Sequence, residues 1–180
     1  MNRINLRALE PDDYILISQW HNDNEITKNL CGNHFFVSAA RDKLWTEQRS
    51  TDESKGIYLA VCLVSSGEMI GYVSILNIDL RNQKLDIGGW LIGQKKLWNQ
   101  GYSKEAVELL LQYIFNEFPI NKCSSYCLED HTISVKTHLS MGFNRDGVLR
   151  EDVFKNGMFK NIIIFSMLRS EYLRKYTITK

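Results

Sequence analysis

The chain has 180 residues, of which 44% are hydrophobic and 24% charged, the size and make-up of one ordinary globular domain with a full core. Twenty-two basic against twenty-one acidic residues leave a formal net charge of +1, so no general excess of positive charge points to nucleic acid, and two prolines with eleven glycines exclude a collagen-like or disordered chain. The opening Met1-Asn2-Arg3-Ile4-Asn5-Leu6-Arg7 has no signal-peptide core, and no stretch approaches the ~18 apolar residues of a membrane span, so we expect a cytoplasmic protein with no membrane partner.

Residues 4–9 alternate and predict a short first strand. Pro11, Asp12 and Asp13 suit a first helical turn, and Tyr14, Ile15, Ile17, Ser18 and Trp20 carry the helix on. Residues 21–33 are polar and broken, and predict a loop with room for one short helix. Ser38 is a candidate N-cap for a weakly amphipathic helix over 39–49. Strands follow over 56–65, 68–80 and 85–93, separated by Ser66-Gly67 and by Arg81-Asn82-Gln83-Lys84, which makes an antiparallel meander. The clearest helical period is 103–118, with Ala106, Val107, Leu110, Leu111, Tyr113, Ile114 and Phe118 on one face and Glu105, Glu108, Gln112 and Asn116 opposite. A strand over 123–129, a helix over 132–141 closed by Gly142, and a hairpin of 148–154 and 158–168 turning at Asn156-Gly157 complete the chain. The order β-α-α-β-β-β-α-β-α-β-β predicts an α/β (α+β) fold: a mixed sheet of about seven strands, mostly antiparallel, with helices on both faces.

Cys31, Cys62, Cys123 and Cys127 do not have paired zinc-ligand spacing, and His21, His34, His131 and His138 form no cluster, so no metal is expected. Cys123 and Cys127 share strand parity and one face; packed reduced thiols and a redox pair are both consistent with that. The segment from Gly89 to Ala106 is more informative. A buried strand ends, a polar loop follows, and Gly101 opens the strongest helix. The first N–H groups of a helix lack internal partners and carry the positive end of its dipole, so an anion fits there, and Lys95, Lys96 and Lys104 would add charge. An ordinary strand–loop–helix turn explains the same residues.

Trp98-Asn99-Gln100-Gly101-Tyr102-Ser103-Lys104-Glu105-Ala106 resembles the pyrophosphate-binding loop of the GNAT N-acetyltransferases, in particular their ribosomal-protein-alanine and spermidine acetyltransferase-like branch. Asp130-His131-Thr132-Ile133-Ser134 with Met141-Gly142-Phe143 resembles the family's Asn-x-x-Ser helix start and closing Gly-Phe. The hairpin from Leu149 to Gly157 and the opening from Leu6 to Asp13 are similar as well, so the resemblance spans residues 1–180 as a single GNAT-type domain. Three positions depart from the family pattern. Asn99 replaces the first loop glycine, His131 an asparagine, and His138 a tyrosine that protonates the leaving thiolate in many members.

The resemblance implies acetyl-CoA as co-substrate, held where two parallel strands splay apart. Backbone of Trp90, Leu91 and Ile92 would meet the pantetheine, and Trp98, Asn99, Gln100, Gly101, Tyr102, Ser103 and Lys104 the pyrophosphate. His131 and Ser134 would contact the cofactor or simply cap their helix. A neutral amine would attack directly. Asp86 on the cleft strand is the candidate base, against a water chain or a plain strand-edge carboxylate. His138 is the candidate acid, against a buried helix histidine. Trp20, His21, Asn22, Asp23, Glu25, His34, Phe35 and Phe36 fall in the family's acceptor region, or in a packed surface loop. The expected activity is N-acetylation of a protein N-terminus, polyamine, amino sugar or aminoglycoside; the alternative is a non-catalytic acyl-CoA sensor. Dimers are common in this branch, which points to the last hairpin as an interface.

Overall fold

The structure, a computed structural model, describes residues 2–32 and 36–176. An eight-stranded sheet has the order β1-β2-β3-β4-β6-β8-β7, with β5 pairing beside β4 on β3. The strands are β1 Ile4–Ala8, β2 Ile57–Leu63, β3 Met69–Asp79, β4 Lys84–Ile87, β5 Leu91–Ile92, β6 Lys122–Leu128, β7 Asn144–Lys155 and β8 Met158–Leu168. All neighbours are antiparallel except β4 and β6, which run parallel over three residue pairs from Lys84↔Lys122 to Asp86↔Ser124. The helices are α1 Tyr14–His21, α2 Asn24–Thr27, α3 Ala39–Thr51, α4 Tyr102–Glu117, α5 Thr132–Met141 and α6 Arg169–Tyr176.

Alternation along the strands sends side chains into two cores. Val61, Val73, Ile75, Leu85, Ile87, Cys123 and Phe165 join Ala106, Leu110, Leu111 and Ile114 of α4 on one face. Ala60, Cys62, Met69, Tyr72 and Leu91 join Ile17, Trp20 and Ile26 of α1 and α2 on the other, with Trp45 of α3 packed against them. The helices therefore cover both faces, as the element order predicts.

Local chemistry explains the boundaries. Ser38 Oγ accepts from Arg41 N and starts α3 as expected, and Asp23 caps α2 through Glu25 N and Ile26 N. Gly142 closes α5 at φ 93°, and Asn156-Gly157 turn the last hairpin with positive φ at both residues.

Two expectations change. The strand over 85–93 is two strands, because residues 88–90 leave the ladder between β4 and β5. The last strand also does not end the fold. Arg169 opens α6 and donates to the carbonyls of Phe115 (2.8 Å), Phe118 (2.7 Å) and Ile120 (2.7 Å) at the end of α4. Tyr172 of α6 stacks on Phe115, ring centroids 4.6 Å apart. That cover is why Phe115 is buried while Tyr113, expected on the apolar face, is 38% exposed.

Candidate functional site

The parallel ladder between β4 and β6 stops at Asp86↔Ser124. Beyond it β5 pairs only with β3, through Tyr72↔Leu91 and Gly71↔Ile92, while β6 from Ser125 onward pairs only with β8. Two strand edges thus face one another without bonding, and the sheet opens as a V. Gly71 permits the turn-in of β5, since a Cβ there would lie 1.9 Å from the Leu91 carbonyl oxygen. Gly93 permits the next step, since a Cβ there would lie 2.1 Å from the Trp20 ring.

A cavity of about 510 Å³ occupies the opening. Its walls include Gly88, Gly89, Trp90 and Leu91 on one side and Ser125, Tyr126 and Cys127 on the other. His131 and Ser134 close one end, so four of the expected cofactor residues meet there. Ile92 is buried beside them, its carbonyl accepting from Trp98 Nε1 at 2.7 Å. His131 opens α5 without a side-chain cap, and burial lowers its basicity.

Trp98, Asn99, Gln100, Gly101, Tyr102, Ser103 and Lys104 lie outside the cavity wall, at the start of α4. Asn99 has φ 60° and Gly101 φ 84°, both left-handed. Asparagine tolerates that region better than most residues, so the departure from glycine at Asn99 keeps the loop's backbone. Gly101 is the N-cap of α4 and offers no side-chain acceptor, leaving the first amides of the helix without a side-chain cap. Arg3 braces the loop: it donates to the Gln100 carbonyl at 3.0 Å, pairs with Glu105 at 2.8 Å and lies over the Tyr102 ring. Lys95 is committed elsewhere, to Asp23 at 2.7 Å and Glu25 at 2.8 Å. Two acids of the expected acceptor region are thereby engaged.

Asp86 does not line the cavity. Its carboxylate accepts from Asn77 Nδ2 at 2.8 Å and from the Tyr126 hydroxyl at 3.4 Å, and Tyr126 stands at the wall. His138 does not line it either; it is fully buried. Its Nδ1 donates to the Ser134 carbonyl at 2.7 Å, which leaves Nε2 to accept from the Ser125 hydroxyl at 3.0 Å. The ring stacks on Phe165 at 4.4 Å and lies 4.6 Å from Trp90. Burial lowers its pKa to about 4, against the pull of the Ser134 carbonyl, so the imidazole is neutral at pH 7. Ser125 and Ser134, both in the cavity wall, stand between His138 and the cavity.

The opposite wall holds His21, expected in the acceptor region, together with Asp42, Tyr72 and Trp45, which the sequence did not single out for the site. His21 Nδ1 meets Asp42 Oδ1 at 2.8 Å, and His21 Nε2 meets the Tyr72 hydroxyl at 3.2 Å. Trp45 stands edge-on to His21, centroids 5.6 Å apart, and all four residues line the cavity. Asp42 is 2% exposed, and its Oδ2 has no hydrogen-bond partner among the described residues. In the sequence Asp42 is an acid in the first turn of a helix, which the helix dipole alone explains, so nothing there marked it for the site. Of the rest of that region, Asn22 clamps the chain through the Val37 backbone, Trp20 is core and Phe36 is exposed. His34 and Phe35 lie outside the described residues. Lys155, from the last hairpin turn, donates to the Gly32 carbonyl at 2.7 Å and fixes the rim.

All four cysteines are free, and burial raises their thiol pKa values. No group of three or more metal-ligating side chains occurs among the described residues, and no described helix is long and apolar enough to cross a membrane.

The model of the Acetyltransferase (GNAT) domain family matches residues 3–144. The chain is 29% identical over 171 residues to the uncharacterized N-acetyltransferase p20 of Bacillus licheniformis, covering 94% of this chain and 95% of that one. It is 20% identical over 173 residues to the spermidine N(1)-acetyltransferase of Escherichia coli K12, covering 96% and 90%. Among solved structures, spermidine N-acetyltransferase from Vibrio cholerae in complex with CoA and spermine superposes with a TM-score of 0.85 at 20% identity, over 95% of this chain and 98% of that one.

Proposed function

The chain belongs to the GNAT acetyltransferase family, and from that premise we propose that it transfers the acetyl group of acetyl-CoA to a primary amine by direct attack, as one domain spanning residues 1–180. The observation that carries the reading is the V in the sheet. Two unpaired strand edges face each other across a cavity beside a helix start that lacks a side-chain cap. The edge of residues 88–92 that faces β6 without pairing to it suits an extended amide-bearing arm, and the start of α4 suits a pyrophosphate.

Each group has a part. Backbone of Trp90, Leu91 and Ile92 holds the pantetheine arm and aims a donor at the thioester oxygen, a kind of contact worth roughly 3–4 kcal/mol in comparable sites. The loop from Trp98 to Lys104 holds the pyrophosphate, and His131 and Ser134 flank the arm. The thioester supplies an activated acyl carbon. Asp86 stands behind the cavity-lining Tyr126, and His138 behind Ser125 and Ser134, so neither meets the reacting atoms directly; His138, with Nε2 accepting and its proton held on the Ser134 carbonyl, has none to give the leaving thiolate. The relatives named for spermidine support an amine acceptor.

The test is thermal unfolding with excess acetyl-CoA, with NAD and ATP as controls. At a hundred times Kd the expected stabilisation is about 2.7 kcal/mol, a rise of roughly 5–10 °C in Tm. No selective rise at millimolar acetyl-CoA would overturn the reading.

A further inference from the structure

We propose that Tyr72, His21 and Asp42 form a proton relay that deprotonates the acceptor, and that the acceptor is a singly charged primary amine with an apolar body. The proposal rests on the acetyltransferase reading above and names what occupies the second half of its cavity.

The direction of the relay follows from the donor inventory. Asp42 as carboxylate can only accept, so His21 donates from Nδ1 at 2.8 Å and keeps a lone pair on Nε2. That lone pair accepts from the Tyr72 hydroxyl at 3.2 Å, which leaves the phenol oxygen as an acceptor in the cavity wall. Burial, with Tyr58 and Asp42 nearby, pushes the phenol's pKa up, so Tyr72 passes a proton on rather than losing one outright. An alkylammonium is mostly charged at pH 7 and cannot attack until it loses a proton. It gives that proton to the Tyr72 oxygen as the Tyr72 hydroxyl proton passes to His21 Nε2. The resulting imidazolium lies against Asp42, and the proton then leaves to solvent. The freed lone pair forms the C–N bond, the C–S bond breaks with its electrons on sulfur, and the second N–H proton ends on the thiolate.

Position favours this path. Tyr72 pairs with Leu91 across β3 and β5, so the relay ends against the strand segment that should hold the thioester. The charged and titratable groups bonded to His21 are Asp42 from α3 and Tyr72 from β3; Arg41 of α3 lines the same cavity, and Arg49 and Tyr58 of β2 pack on the Trp45 ring beside it.

The acceptor class follows from the same wall. Asp42 is the only carboxylate among the described lining residues, and Arg41 lies in that wall too. Leu30, Val37, Trp45 and Ile87 make much of the rest. A polyamine would bring further ammonium groups with no acid to meet them, and burying an unpaired charge is costly. One ammonium with an apolar body leaves none unmatched.

The test uses phenethylamine, glucosamine, an alanine-terminated peptide and spermidine as probes, with thiol release as readout. Wild type is compared with His21→Gln and Tyr72→Phe. The relay predicts that His21→Gln and Tyr72→Phe each lose about a hundredfold in kcat. Both should keep the Tm rise with acetyl-CoA, and in both the rate should come to follow the free-amine fraction, rising more steeply with pH through neutrality than in wild type. In ligand-free wild type, nitrogen NMR should find His21 protonated at Nδ1 and bare at Nε2. Activity of His21→Gln and Tyr72→Phe within threefold of wild type, with an unchanged pH profile, overturns the relay. So does the opposite ring tautomer. Spermidine turned over tenfold better than phenethylamine overturns the acceptor class. Wild type that shows no Tm rise and acetylates no probe overturns the acetyltransferase reading itself.

Discussion

His138 shows at the scale of one residue how an environment reassigns a side chain. Its two nitrogens are spoken for by Ser134 and Ser125, and Phe165 and Phe143 pack its ring. Its pKa is depressed to about 4, so the folded state resists protonation that the unfolded chain accepts near pH 6.5. The stability from this histidine is therefore fully present above pH 6.5, declines as pH falls toward 4, and levels off below. The expected decline is about 3 kcal/mol across that window. Urea unfolding of wild type and His138→Gln at pH 7 and pH 4 checks it; parallel losses in the two proteins would refute the assignment. The positional match to a family tyrosine was legible in the sequence. The burial was not, because it depends on β6 and β8 lying beside α5, which helix periodicity does not encode.

Individual elements show the same division. Helix α4 and its start at Gly101 were legible because 3.6-residue periodicity and a glycine are local signals. Helix α6 was not, since its eight residues are mostly polar and it is held by α4. Arg169 makes that hold: its guanidinium meets three carbonyls at the C-terminal end of α4, where positive charge also complements the helix dipole. Arg169→Ala is expected to cost about 2–3 kcal/mol, since hydrogen bonds from a charged donor are strong and buried carbonyls are left bare. Arg169→Lys should recover only part of it, because an ammonium cannot span the fork. Denaturant midpoints of the three proteins measure both effects. The break at residues 88–90 was hidden for another reason: the glycines Gly88 and Gly89 read equally as strand or turn, and only pairing with β3 and β6 decides.

On the scale of the whole molecule, the sequence order predicted a mixed sheet covered on both faces, and the sheet is so built. The stretches proposed for the cofactor, 90–92 and 98–104, stood out as candidates because each is a continuous run; His131 and Ser134, which meet residues 90 and 91 at the cavity, were added by resemblance alone. The Tyr72–His21–Asp42 wall was not, because it draws one residue each from β3, α1 and α3, and Asp42 and Tyr72 are 30 positions apart. Acetyl-CoA binding across the V should slow amide exchange at residues 88–92 and 102–104, and leave the outer hairpin of β7 and β8 unchanged. Exchange mass spectrometry with and without acetyl-CoA shows this; protection confined to the hairpin would place the ligand elsewhere.

The parallel ladder of three residue pairs has a mechanical consequence. Within the sheet it is the only seam between β1–β5 and β6–β8, whereas β6 and β8 share seven paired residues. A load that pulls the two blocks apart meets its weakest resistance along that seam, and the break should run outward from the mouth of the V. A ligand lying there acts as a rivet, supplying rungs that the backbone omits. The molecule should be toughest along this line while it holds its co-substrate and softest just after release.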